Sequence, residues 1–147
     1  MITEVLNTIF KRELLKLKVE IESYKEESNL WRIEKNITNS SGNLCLHLIG
    51  NLNTYIGATL GHTGYIRNRD AEFSLKNIPR KELIKKIEET IEVIDQILPN
   101  LTTGQLEKEY PIIVLKEPTS TEYFLVHLAT HLTYHLGQIN YHRRLLE

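Results

Sequence analysis

Histidine is the side chain best placed to do chemistry in this sequence, and three of the six, His127, His131 and His135, follow one another at intervals of four. A step of four carries an α-helix only about 40° past a full turn, so these imidazoles share one narrow stripe. His131 and His135 are a turn apart, close enough to reach a common divalent ion. His127 and His135 are two turns apart, about 12 Å along the axis, too far for one coordination sphere. One helix therefore offers two adjacent ligands at most, and a third must come from elsewhere. The best outside candidate is His47, which lies in a separate apolar stretch. Two histidines from one helix and one from another make a three-His site with an open position for water or substrate.

Histidines so placed often serve only as core groups satisfied by a carbonyl or a hydroxyl. Burying three on one uncharged helix is costly unless every nitrogen finds a partner, and a metal satisfies several at once. Asn51, one turn beyond His47, shares its face and is suited to orient it or to bind substrate. Asn51, Tyr55 and Glu72 are the candidate side groups beside the ligands, and no general base stands out. His131-Leu132-Thr133-Tyr134-His135 lacks the glutamate that a zincin peptidase places after its first histidine, which argues against that class. Cys45 lies roughly 200° around a helix from His47 and reads as packing, and Tyr134 points about 100° away from His135.

The elements that must position these groups are helical. Val5, Leu6, Ile9, Phe10, Leu14, Leu17 and Ile21 predict an amphipathic helix from 2 to about 26. Asn39-Ser40-Ser41-Gly42 breaks the pattern, and Leu44 to Leu60 predicts a second helix over 43 to about 60 with Ser41 as its N-cap. Gly50 and Gly57, seven apart, mark a side where another helix can approach closely. Pro79 to Pro99 bounds a third, half-exposed helix carrying Leu83, Ile84, Ile87, Ile91 and Ile94. Residues 100 to 118 lack helical periodicity, and Ile112 to Leu115 reads as a short extended piece. A fourth helix opens at Pro118 and Thr119, with Glu122 completing a capping-box pattern. From Tyr123 to Tyr141 it has almost no charge on any side, which predicts a central helix with inward-facing histidines.

The long connection from Gly61 to Ile78 carries His62, Arg67, Arg69, Asp70 and Glu72. Arg67 or Arg69 is suited to hold a substrate carboxylate, although a solvated loop with an internal Arg to Asp pair is the favoured expectation. His62 reads as an exposed loop residue, with a ligand or acid-base role as the alternative. His142, about 10 Å beyond His135 on the same stripe, has no expected catalytic part.

Composition narrows the class. At 147 residues and 41% apolar, the chain is expected to fold as one domain over 1–147. Its 18 basic and 19 acidic side chains show no like-charge block, so a nucleic-acid partner is not expected. No signal-like segment and no apolar run near 18 residues appear, so membrane insertion and export are not expected and a cytoplasmic location is. The single cysteine forms no internal disulfide.

The run His131 to Ile139, with His-x3-His followed by Gly137-Gln138, together with His47 in the second helix, resembles the DinB/YfiT-like superfamily of metal-dependent enzymes. The resemblance covers nearly the whole chain in helix order, and Asn43 to Phe73 also resembles an uncharacterised subgroup. It implies an all-α four-helix bundle, commonly dimeric, with His47, His131 and His135 binding a divalent metal ion, zinc or nickel first among the choices. His127 then has no ligand role and reads as a core residue or one behind the ligands. Relatives that act as bacillithiol or mycothiol S-transferases, or as thiol-dependent maleylpyruvate isomerases, imply a low-molecular-weight thiol as co-substrate and a small-molecule electrophile. A metal-dependent hydrolase using the same ion on water is the alternative. A non-enzymatic metal or small-ligand binding protein is the third.

Overall fold

The computed structural model describes residues 1–147 as an all-helical bundle. Its elements are α1 (Ile2–Ser23), α2 (Ser41–Leu52), α3 (Arg69–Ser74), α4 (Arg80–Ile97), α5 (Thr103–Glu107) and α6 (Thr121–Leu146). Short 3₁₀ turns lie at Glu27–Trp31 and Leu98–Asn100. The helical run that begins with α2 continues through a wide π turn over Asn53–Ala58 and ends at Thr59–Gly61. α1, α2, α4 and α6 are the four long walls expected from the sequence.

Thr3, Leu6, Phe10, Leu14, Leu17 and Ile21 make the buried stripe of α1, which packs on both α4 and α6. α4 presents Leu83, Ile87, Thr90 and Ile94 to the same core. Every residue of α2 is buried, so this helix, rather than α6, is the central one. The uncharged surface of α6 is only partly covered: Tyr123, Val126, Tyr134 and Tyr141 are exposed. Lack of charge marked that face without saying whether the chain itself would cover it.

α1 ends at Ser23, short of the expected 26, and the N-caps of α2 and α6 lie one residue from those expected. Ser40, not Ser41, caps α2, its hydroxyl oxygen accepting from Asn43 N at 3.2 Å. Ser41 is instead buried against Tyr24 and His142. Ser120, not Thr119, caps α6 by accepting from Tyr123 N, because the Thr119 carbonyl accepts from Tyr110 N at 2.8 Å beside an isolated bridge between Glu109 and Ser120. Pro79 stands one place before the first turn of α4. Ile112 to Leu115 form no strand, with Ile112, Ile113 and Val114 exposed. α5 interrupts the stretch taken to be irregular, held by a reciprocal cap in which Thr102 Oγ1 accepts from Gln105 N and Gln105 Oε1 accepts from Thr102 N.

His142 is a structural tie. It is 5% exposed. Its Nε2 lies 2.8 Å from the Arg32 carbonyl, to which it can donate, leaving the one lone pair of Nδ1 to a hydroxyl pair, Tyr24 at 2.7 Å and Ser41 at 2.9 Å, whose oxygens are 2.6 Å apart. One imidazole thus joins the end of α1, the following 3₁₀ turn, the start of α2 and the end of α6. No helix is long and apolar enough to cross a membrane.

Candidate metal centre

α2 carries His47, and α6 carries His131 and His135 a turn apart. The packing of these two helices brings the ring nitrogens of all three within 4.8 Å of one another, in a group that could hold a metal ion. His131 Nε2 is 3.3 Å from His47 Nε2 and 3.1 Å from His135 Nε2. A tetrahedral ion with ligands at about 2.0–2.1 Å places neighbouring nitrogens roughly 3.3 Å apart, so the two spacings from His131 fit, and the third pair lies within 4.8 Å.

The other ring nitrogens show which ones are free. His47 Nδ1 lies 3.1 Å from Glu72 Oε1, and only a proton on Nδ1 makes that a hydrogen bond to a carboxylate. His135 Nδ1 lies 2.7 Å from Gln138 Oε1 in the same relation. With both protons used there, both Nε2 atoms carry lone pairs, and both are aimed at His131 Nε2. One imidazole N–H cannot satisfy two such acceptors well. A cation at the centre satisfies all three, with a carboxylate and an amide oxygen holding the ligands as outer partners of a metal site do. His131 Nδ1 is buried without a partner.

Electrostatics favour the metal-binding form. Burial, reinforced by His135, His47, His127 and Arg67, pushes the pKa of His131 down to about 4. Burial likewise lowers that of His135, against an opposing hydrogen bond from Gln138. Burial alone would raise Glu72, but hydrogen bonds from His47 and Arg67 and the Arg67 charge outweigh it and hold the carboxyl below its usual range. Free histidine titrates near about 6.5, so between there and about pH 4 the unfolded chain binds a proton that folded His131 refuses. Stability of the metal-free protein should therefore be full above about pH 6.5 and fall as the pH drops towards 4. Thermal melting of chelator-treated protein across that window checks this, and a flat melting temperature would contradict it.

Glu72 reaches the site from α3, within the connection expected to be a loop. Asn68 caps α3 by accepting from Ala71 N, and Asn43 of α2 donates to the carbonyls of Glu72 at 2.9 Å and Leu75 at 2.8 Å. Arg67 grips the carboxylate, Nε to Oε2 at 2.8 Å and Nη2 to Oε1 at 3.0 Å. Its partner is thus Glu72 and not Asp70. Gly50 makes the approach possible, since a Cβ there would stand 1.9 Å from Glu72 Oε2. Gly57 faces Thr63 and Val93, so the two glycines serve different neighbours.

A cleft of about 440 Å³ opens beside His47 and His131, lined by Asn51, Tyr55, Arg67, Arg69, Val114, Phe124, His127 and Leu128. Asn51, Tyr55, Arg67 and Arg69 therefore share one cleft. A second, of about 460 Å³, reaches His135 and Gln138 from the other side. His127 is half-buried, stacked between Phe124 and His131, outside the ligand group. His62 is exposed at the left-handed end of the α2 run. Cys45 is fully buried, with its thiol pushed up to about 12 by burial, and is inert. Tyr134 is exposed, yet its ring lies edge-on 5.3 Å from that of His135 and its hydroxyl accepts from Gln138 Nε2 at 3.4 Å, closer to the site than its angle on the helix suggested. The sequence showed Gln138 without its role, although three residues after His135 is within helical reach; the positioning contacts of Asn43 and Arg67 had no local signal.

No curated protein matches the chain. Residues 6–147 match one protein-family model, described as "Protein of unknown function (DUF1572)". That match takes in both histidine-bearing helices and α3 between them, and the chain belongs to this family.

Proposed function

We propose that this protein is a divalent-metal-dependent enzyme of the DinB/YfiT-like kind, acting as a thiol-dependent S-transferase at His47, His131 and His135. The observation that supports it most is the pair of engaged Nδ1 atoms, which turns two lone pairs on one point next to a third imidazole. Three neutral imidazoles suit zinc or nickel and leave the charge of the ion uncompensated. A divalent ion bound there would lower the pKa of a thiol reaching its free position, readying the sulfur for an electrophile. Glu72 and Gln138 fix the imidazole planes, Arg67 fixes Glu72, and Val114, Phe124 and Leu128 give the cleft a wall that displaces water from a small substrate.

The test is elemental analysis of untagged protein, then assay of the loaded enzyme on electrophiles with and without added thiol. About one divalent ion per chain, removable by a chelator, with electrophile consumption that stops without thiol, is expected. Thiol-independent cleavage of esters or amides would replace transfer by hydrolysis. A loaded protein that turns over nothing would leave a metal-binding protein. No metal, even after reloading and dialysis, would overturn the proposal.

A homodimer belongs to the same proposal. Leu15 and Val19 of α1 and Tyr141 of α6 stay exposed along a groove whose floor includes Leu136 and Gly137. Nothing in the chain meets a Cβ built on Gly137. Val19, 58% exposed, should tolerate glutamate in the monomer within about 0.5 kcal/mol, while Val19→Glu should halve the mass seen by light scattering. An unchanged dimer would place the interface elsewhere.

A further inference from the structure

The cleft beside the histidines holds positive charge that no side chain offsets. Arg67 is matched by Glu72, but Arg69, at the rim, has no acidic partner, its guanidinium lying 5.6 Å from the centre of the Phe73 ring. Deeper in, Asn51 is 7% exposed, and its buried Oδ1 has no hydrogen-bond partner. A buried amide oxygen without a donor is rare in folded proteins and points to a bound group that supplies one. Asn51 and Tyr55 follow His47 by one and two turns, and both line the cleft with His47 and His131.

Resting on the metal centre argued above, we propose that this cleft takes a small carboxylic acid carrying an amide N–H or a hydroxyl. Arg69 receives the carboxylate and Asn51 Oδ1 accepts the N–H or O–H. The planar guanidinium fork matches a carboxylate, and one unpaired arginine matches a single negative charge. Phe124 and Leu128 form the apolar side of the cleft and contact the carbon skeleton between the two polar ends. The thiol of the proposed transfer reaction fits this description when it bears an acylated amine and a free acid.

The probes are N-acetylcysteine and its neutral carboxamide, which share thiol and amide N–H and differ in charge. Titrated into cobalt-loaded protein and followed by the sulfur-to-cobalt absorption band, the acid should bind about tenfold more tightly than the carboxamide. Arg69→Gln should erase that preference and leave carboxamide binding unchanged. Equal binding of the two probes to the wild type, or equal weakening of both by Arg69→Gln, overturns the subsite. Failure of cobalt to bind instead overturns the metal centre, and the subsite is then judged alone. N-acetylglycine is titrated into metal-free, nitrogen-15-labelled protein while the Asn51 side-chain amide signals are followed by NMR. A saturable shift that Arg69→Gln abolishes supports the subsite, and no shift overturns it.

Discussion

Alanine at position 50 is expected to weaken metal binding by about 10- to 100-fold, as much as removing Glu72 would. The added methyl group would stand 1.9 Å from Glu72 Oε2 and 2.6 Å from Cδ, so the carboxylate must leave. It has no nearby place to settle, because Arg67 holds its far side and Asn43 pins the backbone of α3. His47 then loses the acceptor that keeps the proton on Nδ1 and the plane of its ring. Alanine suits a helix better than glycine by about 1 kcal/mol, so far-UV circular dichroism should show α2 intact. Competition with a chromophoric chelator, on Gly50→Ala and Glu72→Gln together, reads the affinity. Wild-type affinity in both variants would show that Glu72 does not position His47.

The second large effect is on stability. His142→Ala should cost about 2–4 kcal/mol, the sum of the packing lost with a buried side chain and a carbonyl left without its donor. The Tyr24 and Ser41 hydroxyls retain each other at 2.6 Å, but the Arg32 carbonyl loses its donor. Tyr24→Phe, which removes a hydroxyl and leaves the ring, should cost less than half as much. Denaturant titration decides, with the midpoint shifting and the slope unchanged. A shift below about 0.5 kcal/mol, the size of an ordinary surface substitution, would mean that the network carries no stability.

The histidine pair was legible because helical register is written in the spacing itself: if residues 121–146 are helical, His131 and His135 must be neighbours. His47 was legible in a weaker sense, through an apolar helix and a resemblance. Glu72 reads in the sequence as an acid near the ligands, yet its role depends on a six-residue helix too short to show periodicity and on a glycine 22 positions earlier. Gly50 looked like a packing glycine, and it is one, but what it admits is a carboxylate and not a helix backbone. α5 was missed despite Thr102-x-x-Gln105, the kind of cap that does announce a helix. The uncharged face of α6 misled because hydropathy reports what avoids water, and here part of that face lies in an open groove.

His142 also bears on when the three histidines can come together. Its partners lie 118, 110 and 101 residues earlier in the chain, and contacts so distant require the loops between them to be closed. That tie adds to the buried side chains of Leu132, Leu136 and Ile139 in setting the depth of α6 along the bundle, and with it the height of His131 and His135 opposite His47. A chain stopped short of residue 131 offers one histidine of the three. A three-histidine site of this kind is therefore a property of the finished bundle, supported by a buried histidine that stands outside the ligand group.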